Sequence, residues 1–488
     1  MSFSRRGFLA GSSAAMAALA TRPAWADQNS LYWQAGWETA PAEGFAPTEM
    51  TLVRGKLPEG LNGALYRNGP AQFRYGDKTL PHWFDGDGMV HSIRFANGKA
   101  VHTGRFVQTE KRRIEQAQKA FVVPGFGTEG DPNFAVSNPD AANAANTSVL
   151  RVGDDLLALW EAGSAFAMDP VSLETRGPKT WREDLKGMPF LAHPKVEPNG
   201  TIWNLGIGGS RVGIYKISPA GALQEFGLVD TGLASYIHDF AMTERSLIIL
   251  VQPWVYKRNI PPFTASMAWE PEHGLKVLIV DKNDFSKTRW AEMPPRFFFH
   301  TGDAWEDESG TIHMDIATYE NADFVEHGEA DIISGKYQKP KTAPAQMAMA
   351  VIPKTGEAKL IDTGLPAEFP RIDPRYQGQV RNQVWMIDTS QRDHAPGSSI
   401  IRRLNWDSVT PDAHDFGREH MVEEHLFVPR PGSDNEGDGW LVGTTLNMRE
   451  RATEVHVFDA MRINHGPLAS FRAPYAWPLG FHGTWASA

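Results

Sequence analysis

An all-β fold, built as one large β-propeller, is the architecture this 488-residue sequence predicts. Three observations lead there. From Leu52 onward the chain is a succession of short apolar runs of β type, glycine- and proline-rich turn signals separate them, and helical patterning is confined to two stretches. The runs include "LLALW" from Leu156, "SLIILV" from Ser246, "LKVLIVD" from Leu275, "TIHMDIATY" from Thr311 and "TEVHVFD" from Thr453. Between such runs stand "DGDG" at Asp85, "PNG" at Pro198, "PAG" at Pro219 and "KTG" at Lys354. Helices are expected only over 109–121 and 139–146. The chain exceeds what one simple core supports, yet no low-complexity linker divides it and no strict short repeat is visible. Radial blades meet that condition, because they bury their faces against one another and leave few open edges. Blades longer than the usual ~40 residues imply long inter-strand loops. Those loops could cover one face of the disc and build a substrate chamber. The number of blades is not readable from the pattern.

Composition narrows the function. The chain is 41% hydrophobic and 22% charged, with a net charge of −10. A basic surface for nucleic acid is absent from this balance, so the expected partner is a small or uncharged molecule. With no cysteine, disulfides, zinc–thiolate sites and cysteine nucleophiles are excluded, and any metal must be held by histidine and carboxylate. Beyond the N-terminus no apolar run approaches the ~18 residues needed to span a bilayer.

The N-terminus itself reads as a targeting segment. Arg5 and Arg6 precede a weakly apolar run over 7–20, and Ala24-Trp25-Ala26 follows as an A-x-A cleavage site. The three parts in this order resemble a twin-arginine signal. Residues 1–26 are therefore expected to be removed by the export machinery, leaving 27–488 as a single catalytic propeller in the periplasm.

Sixteen histidines are present, and four stand out by context. His193 ends a short apolar run in "FLAHPKVEPNG", His238 interrupts the strand-like "SYIHDFAMTE", His300 closes the aromatic run of "RFFFHTGDAWED", and His482 lies in "PLGFHGTW". Taken singly, each reads first as a hydrogen-bonded core residue. Taken together, four such sites along the chain suit a propeller axis, where each blade's innermost strand can offer one inward side chain. Imidazole suits iron, zinc and copper. His82 and His91 flank the "DGDG" turn and are expected to shape it. His414, His420 and His425 are close in sequence, but two lie in a polar, loop-like stretch and no site is assigned to them. "GIGGS" at Gly206 lacks the strand–helix setting of a nucleotide loop and reads as a turn.

An ordered set of motifs then carries a family resemblance. They are "GALYRNGP" (63–70), "HWFDGDGMVH" (82–91), "ANTSVL" (145–150), "AHPKVEPNG" (192–200), "IHDFAMTE" (237–244), "EFPRID" (368–373), "EEHLFVPRP" (423–431), "EGDGWL" (436–441) and "FHGTW" (481–485). Through nearly the whole chain after the signal, the sequence resembles the carotenoid cleavage oxygenases, a family that includes stilbene-cleaving dioxygenases. The resemblance implies a seven-bladed propeller with long loops capping one Fe(II) per chain, held on the axis by His193, His238, His300 and His482. It also implies carboxylates behind three of these ligands, at Glu161, Glu368 and Glu424. A ligating imidazole has a second ring nitrogen whose proton wants an acceptor, and a carboxylate there fixes the ring and raises its basicity. Glu423 adjoins Glu424, and a slip of one residue would exchange them. Asp239 faces away from His238 if the segment is extended, so it is not counted as a ligand.

The implied reaction is oxidative cleavage of a C=C bond by Fe(II) and O2, giving two carbonyl products from an apolar conjugated alkene. Phe297, Phe298 and Phe299 are placed to line the cavity near His300, or equally to be plain core. In the stilbene-cleaving branch, the family pattern puts a lysine directly before the first glutamate, where it grips a phenol oxygen. Here that position is Trp160, and "VPGFGTEGDP" (123–132) lacks an assisting tyrosine. An aromatic wall suits an apocarotenoid or related isoprenoid better than a hydroxystilbene. The alternatives are stilbene or phenylpropene cleavage at the same iron, isomerisation or single-oxygen chemistry, a propeller hydrolase, and a non-catalytic binder of apolar ligands. A peripheral membrane contact for substrate uptake is compatible with all of the iron readings.

Overall fold

The computed structural model describes residues 32–327, 332–408 and 410–488. The segment expected to be an export signal lies outside them. Seven antiparallel sheets of four or five strands form the blades of a β-propeller. The first blade is ordered from axis to rim as Gly483–Ser487, Gly63–Pro70, Gly88–Ala96, Lys99–Phe106 and Phe45–Glu49. Its innermost strand is thus the C-terminal strand of the chain. The seventh blade runs outward from His420–Pro429 to Ala469–Arg472 and is completed at the rim by Thr51–Gly55 from near the N-terminus. Each end of the chain is stitched into the other end's blade, which closes the ring and removes the seam where open edges would meet.

Each of the seven junctions between neighbouring blades is an apolar cluster. The strand Leu275–Asp281 shows how sequence encodes this. Leu275, Val277 and Ile279 pack toward the fifth blade, while Leu278 and Val280 pack toward the third. Alternate side chains enter opposite interfaces, so the run reads as continuously apolar instead of alternating. Burial of each such side chain stabilises by about 1.5–3 kcal/mol. Replacing the fully buried Ile248 by Ala would cost about 2–5 kcal/mol.

The helix expected over 109–121 is present as Glu110–Gln118, capped by the Thr109 hydroxyl accepting from Arg112 N at 3.2 Å and ended by Lys119 at φ 51°. The second expected helix shrinks to one 3-10 turn at Pro139–Ala142. Beyond it, the Asn143 side chain takes Ala145 N at 2.9 Å and donates to Ser164 O at 2.9 Å, which pulls the backbone out of the helix. The "DGDG" turn anchors the cap over one face. Asp85 accepts from Phe126 N, Gly127 N and the Thr128 hydroxyl at 2.5, 2.9 and 2.7 Å. His82 shapes that turn, accepting from Phe84 N. His91 does not. It lies within a strand of the first blade, stacked with His102 and Trp477.

Candidate metal centre

Each blade contributes one side chain to the centre, six of them from or beside the innermost strand and Glu161 from the turn after the second strand of its blade, Asp155–Leu159. His482 comes from the first blade, Glu161 from the second, and His193, His238 and His300 from the third, fourth and fifth. Glu368 and Glu424 come from the sixth and seventh. His193 precedes the short inner strand Lys195–Val196, and His238 precedes Ala241–Met242. Asp239 does point away from the site. It accepts from Thr301 N at 2.8 Å and from the Thr301 hydroxyl at 2.9 Å, and pairs with Lys195 Nζ at 2.8 Å. That staple joins the inner strands of the third, fourth and fifth blades, so each histidine is aimed by a backbone its neighbours hold.

His300 depends on an irregularity. Along Phe297–Glu306 the pairing steps from Phe298↔Thr318 to Thr301↔Ile316, which leaves one extra residue on the inner strand. The bulge turns Phe299 and His300 both toward the axis, although regular alternation would have sent them to opposite faces. Phe298 faces the other way. It is fully buried between the fourth and fifth blades with Ala241 and Ile316, so its assignment to the cavity wall is corrected. Phe297 sits behind Phe299, 4.9 Å between ring centroids.

The four imidazoles are buried and converge. Nε2 of His238 lies 3.0 Å from Nε2 of His193 and 3.2 Å from that of His300, which is 3.0 Å from His482 Nε2. One ligand atom from each falls within 4.8 Å of all the others. Metal–nitrogen bonds of about 2.1 Å at right angles would set neighbouring nitrogens about 3.0 Å apart. Burial, reinforced by the neighbouring imidazoles, pushes His193 well below the usual imidazole range. Burial likewise pushes His482 down to about 3, partly offset by Glu424. In His238 burial acts in the same direction, but Glu161 outweighs it and the shift is upward. Lone pairs facing one another at this range repel unless a proton or a cation lies between them, so the donor set fits a metal ion.

Behind three of the rings stand carboxylates. His482 Nδ1 donates to Glu424 Oε1 at 2.8 Å, His300 Nδ1 to Glu368 Oε2 at 2.5 Å, and His238 Nδ1 to Glu161 Oε1. Glu424 also accepts from Arg371 Nε at 2.6 Å and Gly483 N at 2.8 Å. Burial raises its pKa, but Arg371 and His482 outweigh that and hold Glu424 well below the usual carboxylate range. Glu423 turns elsewhere, accepting from Arg67 Nη2 at 3.2 Å, the Thr444 hydroxyl at 2.7 Å and Gly480 N at 2.7 Å. Among the described residues no carboxylate is hydrogen-bonded to His193.

A cavity of ≈ 630 Å³ opens onto His238, His300 and His482, and its wall includes Trp160 and Phe299. Sequence reasoning did not single out Phe84, Phe126, Phe369 or Phe481, which also line it. Their signal was adjacency to motif residues: Phe84 precedes Asp85, Phe369 follows Glu368 and Phe481 precedes His482. Phe369 is held at φ 52°, a left-handed conformation uncommon for a bulky residue. Its ring lies 4.9 Å from both His300 and His482, and its N–H donates to Glu368 at 2.8 Å.

The model of the retinal pigment epithelial membrane protein family matches residues 38–487. This chain belongs to that family, the carotenoid cleavage oxygenases. Its relatives include apocarotenoid-15,15'-oxygenase of Synechocystis sp., 28% identical over 93% of this chain and 96% of the relative. Resveratrol cleavage oxygenase 1 of Aspergillus fumigatus is 27% identical, covering 89% of this chain and 91% of its own. Lignostilbene-alpha,beta-dioxygenase isozyme III of Sphingomonas paucimobilis is 29% identical, with 89% and 93% covered. Among solved structures, a variant of the Synechocystis apocarotenoid oxygenase superposes with a TM-score of 0.84 at 25% identity, covering 94% of this chain and 100% of that one. A cobalt-substituted form of the same protein gives 0.82 at 24%, covering 93% and 98%. As a family member, the chain is an oxygenase of the carbon–carbon double-bond-cleaving type.

Proposed function

We propose that the chain binds one Fe(II) through His193, His238, His300 and His482 and uses O2 to split a C=C bond of an apocarotenoid or related isoprenoid alkene into two carbonyl products. The observation that carries this reading is a set of four converging imidazoles at the wall of an aromatic cavity that offers no free cation. Among the described residues, the one lysine on the wall is Lys111, and its ammonium is occupied by Asp87 at 2.9 Å and Glu115 at 2.7 Å. A phenol end would find no charged anchor there. A polyene would find Trp160, Phe299 and Phe481 to pack on.

Imidazole donors suit iron, copper and zinc alike, and the oxidation of an alkene selects a redox-active ion over zinc. Held by the four rings, Fe(II) would supply the one-electron chemistry that O2 needs in order to react with a closed-shell alkene. The protein does the rest. Glu161, Glu368 and Glu424 fix the orientation of three rings and hold their Nδ1 protons, so that Nε2 presents its lone pair. Phe369 covers the His300 and His482 rings, and the aromatic wall holds the alkene flat while excluding water. Both oxygen atoms of O2 are accounted for by two new C=O bonds replacing one C=C.

The named activities of the relatives include both apocarotenoid and stilbene cleavage, at 27–29% identity to this chain, so identity does not choose between them. The wall does. Parallel assays of an apocarotenal and a 4-hydroxystilbene test the choice: kcat/KM should favour the apocarotenal, and a much higher value for the stilbene would overturn it.

We also infer export. Its support is the order of Arg5-Arg6, apolar run and Ala24-Trp25-Ala26, and folded transport suits an enzyme loaded with Fe(II) before crossing. Arg5→Lys with Arg6→Lys should trap the precursor inside, whereas mature chain in the periplasm after that change would sink the pathway. For substrate uptake we infer peripheral membrane contact at the segment of the cavity-lining Tyr256, where Tyr256 and Ile260 are 38% and 41% exposed beside Lys257 and Arg258. Co-sedimentation with anionic vesicles should fall after Ile260→Glu; unchanged sedimentation would refute it.

A further inference from the structure

The three carboxylates behind the histidines are not held alike. Glu424 has both oxygens occupied by Arg371, Gly483 N and His482, and its side chain is fully buried. Glu368 lies on an inner strand, takes Phe369 N as well as His300, and is 6% exposed. Glu161 has neither support. It sits in a turn just after the isolated bridge Trp160↔Phe190, and its side chain is 21% exposed on the cavity wall. Among the described residues it accepts no backbone N–H, pairs with no arginine, and besides His238 is held by one side chain. The Tyr236 hydroxyl lies 3.0 Å from each Glu161 oxygen and 3.0 Å from His238 Nδ1.

We infer that Tyr236 is the positioning residue of the fourth-blade ligand: its hydroxyl clamps Glu161 onto His238 and keeps that carboxylate from swinging into the cavity. Tyr236 and His238 stand two apart in the segment between the bridge Ser235↔Val255 and the strand Ala241–Met242, and both reach Glu161. The tyrosine ring is itself immobilised. Tyr236 is 7% exposed, its ring packs edge-on to Trp254 at 5.2 Å and stacks on Phe297 at 6.4 Å, and its backbone N–H donates to Trp254 O at 3.0 Å. Both Glu161 oxygens face the hydroxyl at 3.0 Å, and a carboxylate accepts, so the hydroxyl is the donor. Glu161 thus receives two donors, Tyr236 O–H and His238 Nδ1–H. Without the first, a half-free carboxylate beside the reacting alkene could rotate off the imidazole, costing the metal a well-oriented ligand and placing a charge in an apolar chamber.

The inference rests on reading the four histidines as a metal centre, and the test separates the two. Wild type, Tyr236→Phe, Glu161→Gln and the double variant are compared in the full chain for Fe(II) dissociation constant by chelator competition, for the visible spectrum of the Co(II)-loaded protein, and for thermal unfolding without metal. Tyr236→Phe should weaken Fe(II) binding about threefold to tenfold and shift the Co(II) bands, a milder effect than the 10–100-fold typical of direct partners of ligands. Because both residues act through one contact, the double variant should be no worse than Glu161→Gln alone. Unchanged affinity and spectrum in Tyr236→Phe, or losses that multiply in the double variant, would overturn the positioning role. A wild-type chain that binds metal but cleaves no alkene would refute the proposed reaction, while the same affinity comparison still decides Tyr236. A wild type that binds no divalent metal refutes both.

Discussion

Two groups of buried histidines, one on the axis and one within the seventh blade, show by contrast what sets a candidate metal centre apart. In the seventh blade, His456 Nε2 meets the Thr445 hydroxyl and Nδ1 the Ser470 hydroxyl, both at 2.9 Å, while His425 Nδ1 donates to Glu423 O at 2.8 Å. Their rings surround Phe416 and Phe458. Burial pushes His425 down to about 3 and His456 well below its usual range, as it does His193 and His482 on the axis. Burial, and the downward shift it causes in two rings of each group, is therefore common to both. What differs is aim: on the axis the Nδ1 protons are taken by carboxylates behind three of the rings and the Nε2 atoms turn on one another, whereas in the blade His425 Nδ1 and both His456 nitrogens bond to blade neighbours and the rings pack on Phe416 and Phe458.

The largest expected effect breaks the comparison directly. His300→Ala should reduce iron from about one per chain to a small fraction and bring turnover to background, while His456→Ala should keep its iron and lose only stability. Two neutral hydrogen bonds and a cavity put that loss at about 2–4 kcal/mol, readable in urea unfolding. Near-normal iron and turnover in His300→Ala, or iron loss in His456→Ala, would erase the distinction. Next come the carboxylates. Glu161→Gln, Glu368→Gln and Glu424→Gln should each cost roughly 10- to 100-fold in metal affinity or activity. Glu424→Gln should be the most severe, because Arg371 also loses its partner. Glu423→Gln should instead act on stability through Arg67 and Thr444, and a larger effect on iron than that of Glu424→Gln would reverse their roles. The smallest effect is at the wall, where Trp160→Ala should raise KM for an apocarotenal about tenfold, worth about 1.4 kcal/mol, with little change in iron content.

How much of this the sequence shows follows from the range of the forces involved. Local signals read well: the all-β class from strand runs and turns, and the helix after Thr109 from its patterning over 109–121. The four axial histidines were reachable by motif resemblance, and their settings alone left core packing as the simpler reading. Three features needed the fold. The blade count depends on strands from both chain ends completing each other's sheets, a pairing no local pattern records. The bulge at Phe299–His300 breaks the alternation that a reader of "RFFFH" must assume, which is why Phe298 was misplaced while Phe299 was not. Histidines 414, 420 and 425 lie in strands, Thr410–Asp415 and His420–Pro429, where the sequence put two of them in a polar, loop-like stretch. Tyr236 was passed over because a tyrosine on a buried strand looks like core until Glu161, 75 residues away, is seen beside it.

The central claim is that the axial histidines bind one catalytic iron. Metal-free protein should be titrated anaerobically with Fe(II), each aliquot then mixed with an apocarotenal and O2, and oxygen uptake followed with the carbonyl products. The account predicts no uptake without iron, a linear rise, and a break at one Fe(II) per chain, with two carbonyl products for each O2 consumed. Full activity in the metal-free protein, or a rate indifferent to added iron, would contradict it.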